Sequence, residues 1–389
     1  MPTLRLLRPQ GPGAVDLERG SEALSYLDEL NTQIVAEVFR LGPRNLSEVA
    51  RTIGASKRTV HARFTKLRRK GLLHVRAVPV YHSMGLIGVY LFARVPPSRR
   101  AGALKALSAN DYVREVRYCV GRFNGLLAQL AIPVERVKEF EEYVGELERL
   151  GALEDYQIRY VVDFKPFLPN FSYFNFKARR WEFSAERFLS DMSRYGLGRV
   201  ALRDPEHFRA DLDYLDVLIV WALERDATTR LATIARIANV NRSLIKYHMD
   251  VHVSSRLIRG YAVEMPFFAP GTYGTYLLEA EFSDPSGLAS FAYAMSRTPY
   301  ARVMCKEYRR DALFVTLEVP VSEVCSLVFD VVGELSEEHG LTSYEFHMLS
   351  LTSALRRPLP KDLFDEDAGW RYRGDSYLSE ARRAVAAGP

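Results

Sequence analysis

Cysteine is scarce in this chain of 389 residues: Cys119, Cys305 and Cys325 are the three, and no two form a Cys-x-x-Cys pair. An odd, scattered set excludes a disulfide framework and a cysteine-built zinc site, and it is the usage expected in a reducing cytosol. Long hydrophobic runs are missing too. The most apolar stretches, 125–134 and 215–223, fall far short of the ~18–20 residues that span a bilayer, so no membrane partner is expected. Residues 1–20 are rich in Pro, Gly and Arg, without the charged-then-apolar order of a secretory signal, and are expected to form a loose tail. Also absent are a Gly-rich phosphate loop, a His-Glu-x-x-His pair and a defensible Ser/His/Asp grouping. The expectation is therefore a chain that is not an enzyme, with no catalytic residue, metal or cofactor. Of eight histidines, five (His61, His74, His82, His248, His252) fall in or beside two helical units described below and read as packing and surface residues.

What is present is the composition of a globular chain: 48% hydrophobic, 26% charged and 12% aromatic residues, enough to bury a large core. The length suggests two to four domains. The net charge of +5 says little until its location is known.

The chain repeats itself at an interval of about 187 residues. Leu27-Asp28 returns as Leu215-Asp216, Leu46–Arg51 as Leu231–Arg236, Gly85-x-x-Gly88-x-Tyr90 as Gly271-x-x-Gly274-x-Tyr276, and Val144–Leu147 as Val332–Leu335. Even Trp181 has its counterpart in Trp370. The matches keep their order along the whole length, which means two copies of one two-domain unit rather than a solenoid.

Each copy opens with a helical pattern. In the first, 28–40 places Leu30, Ile34, Val35 and Val38 on one face, and Gly42-Pro43 stops it. A short second helix carries Val49, Ala50 and Ile53 inward and ends at Gly54. Ser56 caps a third helix whose apolar positions are Val60, Phe64 and Leu67, and a strand over 72–80 follows. Helix, tight Gly turn, helix and strand pair describe a winged helix-turn-helix. Between Ser56 and Gly71 there are seven basic residues and no acidic one: Lys57, Arg58, Arg63, Lys66, Arg68, Arg69 and Lys70. A run of this kind standing alone reads as a solvated face. On the third helix of a helix-turn-helix it reads as a surface for double-stranded DNA, with base edges met from the first turns and phosphates further along. The expected DNA-binding residues are Ser56, Lys57, Arg58, Thr59, His61, Arg63, Lys66, Arg68 and Arg69. In the second copy the third helix, 241–256, keeps the scaffold with Ile245, Met249 and His252 inward. It carries Asn241, Arg242, Ser243 and Lys246 as candidates, and a weaker DNA reader and a domain kept for packing both stand open there.

After each helix-turn-helix the pattern is strand, helix, strand, strand, helix, strand: 88–95, 98–109, 113–119, 126–133, 134–150 and 155–164, then 276–282, 285–296, 301–308, 313–319, 321–339 and 343–351. This βαββαβ order is ferredoxin-like, so the fold class is α+β with two copies of a winged helix-turn-helix followed by a ferredoxin-like domain. The expected boundaries are a flexible tail at 1–22, helix-turn-helix 23–84, effector domain 85–165, aromatic-rich linker 166–211, helix-turn-helix 212–268, effector domain 269–355 and tail 356–389, with a helix over 376–386.

These residues resemble the Lrp/AsnC (feast/famine) family of prokaryotic transcription regulators. The resemblance rests on Leu27-Asp28, Leu46–Ala50, Gly54-x-Ser56-x-x-Thr59-Val60-x-x-Arg63-x-x-x-Leu67-x-x-x-Gly71-Leu72 and Gly85. In the second copy it rests on Leu215-Asp216, Ala227-x-x-Arg230, Ile234-Ala235, Leu257-Ile258-x-Gly260-Tyr261 and Gly271. It implies a sequence-specific, DNA-binding transcription regulator that is cytoplasmic and nucleoid-associated, from a bacterium or, in preference, an archaeon. The duplication implies that one chain supplies both halves of the usual dimer; further homo-oligomerisation stays open. The family's Gly-x-x-Asp turn, near a pocket for a small-molecule effector, stands here as Gly121-Arg122-Phe123-Asn124 and Tyr308-Arg309-Arg310-Asp311. Gly121, Asn124 and Asp311 are thus the effector candidates, beside the reading of ordinary hairpin turns. A related branch of the scaffold decarboxylates a tetrapyrrole, which leaves a ligand-binding enzyme using Tyr118, Arg122, Arg309 and Arg310 as one alternative. A protein–protein module is the other.

Overall fold

The computed structural model describes residues 24–209, 211–269 and 271–386, with the backbone alone at Tyr195. The tail expected at 1–22 lies outside the described residues.

The first helix-turn-helix consists of α1 (Glu29–Leu41), α2 (Leu46–Thr52) and α3 (Lys57–Arg69). Asp28 and Ser56 accept from the third backbone N–H of α1 and α3, which satisfies donors that a helix start leaves open. Ile34, Val35, Val38, Val49, Ala50, Val60, Phe64 and Leu67 close the core between them. One wing strand follows, β1 (His74–Pro79). The first ferredoxin-like unit is β2 (Leu86–Arg94), α4 (Arg100–Ser108), β3 (Val113–Val120), β4 (Gly125–Pro133), α5 (Val137–Arg149) and β5 (Asp155–Pro166).

The segment expected as an aromatic linker is folded. It forms a two-strand hairpin, β6 (Phe174–Asn175) with β7 (Arg180–Trp181), and then helix α6 (Ala185–Tyr195). The second copy repeats everything: α7 (Tyr214–Arg225), α8 (Leu231–Ala238), α9 (Arg242–His248), wing strand β8 (Ile258–Glu264), β9 (Tyr273–Phe282), α10 (Pro285–Arg297), β10 (Ala301–Glu307) and β11 (Ala312–Pro320). Helix α11 runs through Val324–Ser326, a π-wound Leu327–Val332 and Gly333–His339, and β12 (Leu341–Leu349) follows. After β13 (Leu355–Arg356), the tail forms hairpin β14 (Phe364–Asp365) with β15 (Gly369–Trp370) and helix α12 (Gly374–Ala386). Linker and tail are therefore the same element, once per copy.

The copies are woven into each other. Within each ferredoxin-like sheet the order is β5-β2-β4-β3 or β12-β9-β11-β10, and the two sheets join through β5–β10 and through β12–β3, which closes a barrel. The expected wing hairpin of each copy does not form. Instead β1 pairs antiparallel with β8, His74 opposite Glu264 and Val78 opposite Gly260, so the two wings make one ribbon. Gly42, at φ +84°, lets the Tyr261 ring of the other copy come so close that an added Cβ would lie 2.5 Å from it. Each hairpin–helix also crosses over. Trp181 Nε1 donates to Phe267 O at 2.6 Å, and Trp370 Nε1 donates to Met84 O at 2.6 Å. The buried apolar residues accordingly form two clusters: first sheet with second helix-turn-helix, and first helix-turn-helix with second sheet.

Candidate functional site

The cationic face of α3 is set by the helix period. Val60, Phe64 and Leu67 turn inward, which leaves Lys57, Arg58, Thr59, His61, Lys66 and Arg69 exposed. Ser56 is spent on the cap, and its Oγ also lies 2.8 Å from Thr59 Oγ1. Two of the expected DNA-contacting cations are half-buried and paired with carboxylates of the protein itself. Arg63 donates to Asp28 Oδ2 at 2.6 Å and to Asn31 Oδ1 at 3.2 Å, and Arg68 donates to Asp226 Oδ2 at 2.6 Å. Lys66 stands 5.2 Å above the Tyr26 ring, a cation–π distance that still leaves its charge at the surface.

The second helix-turn-helix presents another surface. Asn241 caps α9 by accepting from Leu244 N at 2.8 Å, and Arg242 and Ser243 are exposed, but Lys246 is paired with Asp250. Around them Ile237, Leu244, Tyr247 and Val251 are exposed apolar side chains. The third helix expected over 241–256 is α-helical only to His248 and continues as a π-wound stretch, Met249–Leu257. His252 consequently turns to the carboxylate of Asp216, with Nδ1 at 3.0 Å from Oδ2, and His248 Nδ1 lies 3.0 Å from Asp216 Oδ1.

A third constellation corresponds to no motif in the sequence. The turns read as effector candidates sit at one end of the barrel, and a line of charged groups joins them. Arg122 meets Glu345 at 3.0 Å; Glu345 lies 3.6 Å from His347; His347 lies 3.9 Å from Glu279. Glu279 pairs with Arg159 at 2.7 Å, Arg159 with Glu307 at 3.4 Å, and Glu307 with Arg310 at 3.7 Å. Gly121 lies against His347, so that a Cβ there would come within 2.9 Å of Nδ1. Asn124 is consumed by the turn, accepting from Gly121 N at 3.2 Å, and the Asp311 carbonyl accepts from Phe282 N at 2.7 Å. Of the alternative ligand set, Arg122 and Arg310 belong to this line, whereas Tyr118 is exposed and Arg309 is turned over the Tyr308 ring.

Burial sets the electrostatics of this line. His347 is 1% exposed, and neither ring nitrogen has a hydrogen-bond partner; Phe92 lies 4.8 Å from its ring. Burial holds its pKa below the usual imidazole value, more than Glu345 raises it. Burial, against the pull of Arg159 and reinforced by Glu345, Glu307 and Glu281, pushes Glu279 up to about 7. A carboxyl poised near neutrality beside an uncharged imidazole can give and take protons. Its sequence signal was the alternation of Glu279 and Glu281 on β9, which reads as a solvent face unless a second sheet is known to cover it.

No family model matches the chain, and no curated protein matches it in sequence. Among solved structures, the siroheme decarboxylase NirDL matches with a TM-score of 0.56 at 13% identity, over 92% of this chain and 99% of that one. NirDL in co-complex with an iron-uroporphyrin III analogue matches over the same shares, with a TM-score of 0.54 at 11% identity. AsnC of E. coli covers 35% of this chain and 93% of its own, with a TM-score of 0.29 at 16% identity. The duplicated layout of helix-turn-helix and ferredoxin-like domains is thus a fold found over a whole solved chain. The expectation of a chain that is not an enzyme is corrected by the same finding, because the protein that shares the full-length fold is an enzyme. No helix among the described residues is long and apolar enough to cross a membrane.

Proposed function

We propose that the chain is a DNA-binding regulator whose first helix-turn-helix is the main reader of double-stranded DNA. The observation that carries this reading is the outward cationic face of α3, with Lys57, Arg58, Lys66 and Arg69 exposed around Thr59 and His61. The first turn of α3 would meet base edges through Lys57, Arg58 and His61, while Lys66 and Arg69 would meet phosphates. Arg63 and Arg68 support the reader by fixing α3 to Asp28 and Asp226. The second unit, with its paired Lys246 and apolar surround, would add little affinity, so the bound site would be asymmetric. A titration of the full chain against duplex DNA over a range of salt tests this. Affinity should fall by ~0.9 log unit per contacted phosphate for each log unit of salt, and Lys57→Ala with Arg58→Ala should weaken it by at least tenfold. A flat salt response overturns the reading.

A second reading is favoured by one observation: the buried, unpartnered His347 beside Glu279 at the barrel end. It supports acid–base chemistry on a small ligand held between the Arg122 and Arg310 turns, and the reaction named for NirDL, decarboxylation of a tetrapyrrole, is the first to try. Addition of an iron tetrapyrrole to the purified chain should shift its absorbance and release carbon dioxide, and His347→Ala should abolish the release. An unchanged spectrum together with no product overturns it.

A further inference from the structure

The two copies diverge around one carboxylate, half-exposed as Asp28 in the first and buried as Asp216 in the second, and that divergence builds a constellation with ligand chemistry. In the first helix-turn-helix, Asp28 is answered by the guanidinium of Arg63, seven residues after the cap Ser56. In the second, the equivalent Asp216 is fully buried, and the residue seven after the cap Asn241 is His248. Eleven residues after the caps stand Leu67, a buried core residue in copy one, and His252 in copy two. Replacing a permanent cation and an apolar side chain with two imidazoles around one carboxylate is not what packing alone selects. A buried imidazole needs a polar partner that a leucine does not.

Four donors converge here. Asp213, the N-cap of α7, brings a second carboxylate, its Oδ2 at 3.4 Å from His248 Nδ1. His248 Nδ1 is 3.0 Å and His252 Nδ1 is 3.1 Å from Asp216 Oδ1, and one ligand atom from each of the four residues lies within 4.8 Å of every other. Ligands bound at ~2.0–2.1 Å in a tetrahedron are separated by roughly 3.3–3.4 Å, so the set needs little movement to close on one ion. The π-wound stretch starts at Met249, between the two histidines. It puts His252 on the Asp216 side while Val253 and Leu257 keep the core filled. Such a local rewinding is common where a helix serves a site.

We propose that His248, His252, Asp216 and Asp213 bind one divalent transition-metal ion of the zinc class. Two imidazole nitrogens with carboxylate oxygens suit Zn²⁺ and its first-row neighbours, and disfavour Mg²⁺ or Ca²⁺, which take oxygen ligands. The ion staples α9 and the π-wound stretch to α7. It thereby fixes the exposed face of Arg242, Leu244 and Tyr247, and it does so whether or not the first unit reads DNA. Without an ion, both imidazoles would simply donate Nδ1–H to Asp216. The two arrangements are separable in the full-length protein stripped by chelator.

Zn²⁺ is titrated calorimetrically and Co²⁺ by visible absorption, on the wild type and on His248→Ala, His252→Gln and, as a control on the exposed surface, His207→Ala. Expected are one equivalent bound, intense tetrahedral Co²⁺ bands, and a Zn²⁺-dependent rise of the unfolding midpoint. His248→Ala and His252→Gln should each weaken binding by at least tenfold, with the far-ultraviolet dichroism of the metal-free variants unchanged. His207→Ala should bind as the wild type does. The proposal is overturned if neither ion binds saturably, or if binding persists undiminished in both histidine variants, which would place the ion elsewhere on the surface. If one variant fails to fold, the other and the Co²⁺ spectrum of the wild type decide.

Discussion

At the scale of single residues, the charges buried between the copies matter most. Burial pushes Glu279 up to about 7, above the ordinary carboxylate value of 4.5. Its protonated form is therefore favoured by folding. That contribution is complete below about pH 4.5 and is lost as pH rises through 7, at ~1.4 kcal/mol per unit and so about 3 kcal/mol at most. Glu279→Gln cannot ionise, so its stability in urea unfolding, taken relative to the wild type, should rise as pH goes from 4.5 to 7. His347 has the opposite sign: its lowered pKa contributes stability above the ordinary imidazole value that is lost as pH falls. It stays in both proteins, so the comparison is read as their difference, and His347→Ala with Glu279→Gln separates the two contributions. A second test concerns the ion pair of Arg114 and Glu224, at 5% and 7% side-chain exposure, which ties β3 to α7 while Glu224 Oε2 also accepts from Leu359 N at 2.9 Å. Glu224→Ala leaves a guanidinium buried without its partner and should cost about 3–5 kcal/mol in urea unfolding. Both residues stand in sequence as unremarkable charges 110 positions apart.

At the scale of elements, what could be read beforehand was what a local pattern decides. Helix α3 was legible because Ser56 caps it and Val60, Phe64 and Leu67 recur at helical spacing. The βαββαβ order was legible because two copies display it. The wing was not, since β1 finds its partner in β8 of the other copy and no local spacing records that. The hairpin–helix after each sheet reads as linker or tail in sequence because its strands are two residues long and its aromatics belong to a distant core. The barrel-end site was hidden for the same reason: its charges come from β5, β9, β10 and β12, which no single copy assembles. The β1–β8 ribbon carries its own test. Burial would raise the Glu264 carboxyl, but Arg76, Arg356 and His74 outweigh it and hold the pKa well below the usual range. A depressed pKa gives stability that is present above about pH 4.5 and lost as pH falls toward the folded value. Hydrogen exchange should show strands 74–79 and 258–264 losing protection on acidification, and Glu264→Gln should reproduce that loss at neutral pH.

At the scale of the whole molecule, duplication alone would give two units lying side by side, and the observed chain is instead reciprocal. Each hairpin–helix caps the partner copy: Trp370 donates to Met84 O, Tyr112 Oη donates to Arg371 O at 2.8 Å, and Tyr377 is fully buried beside Tyr143. The second helix-turn-helix shares its core with that same first sheet. Removal of residues 359–389 therefore strips Leu359, Phe364, Trp370 and Tyr377 from a core to which the second sheet contributes little. Each large apolar side chain is worth ~1.5–3 kcal/mol of burial, so the damage should exceed the effect of any surface truncation. If the copies were independent, deleting the end of the second would loosen the second. The crossed packing demands the reverse: hydrogen exchange should rise in α4, α5 and α7, while α10 and α11, which pack in the other cluster, stay protected. Trp370→Phe should show the same pattern in milder form, by about 1–3 kcal/mol, because it leaves the Met84 carbonyl without its donor. Loss of protection centred on α10 and α11 would mean that the two copies fold as separate units after all.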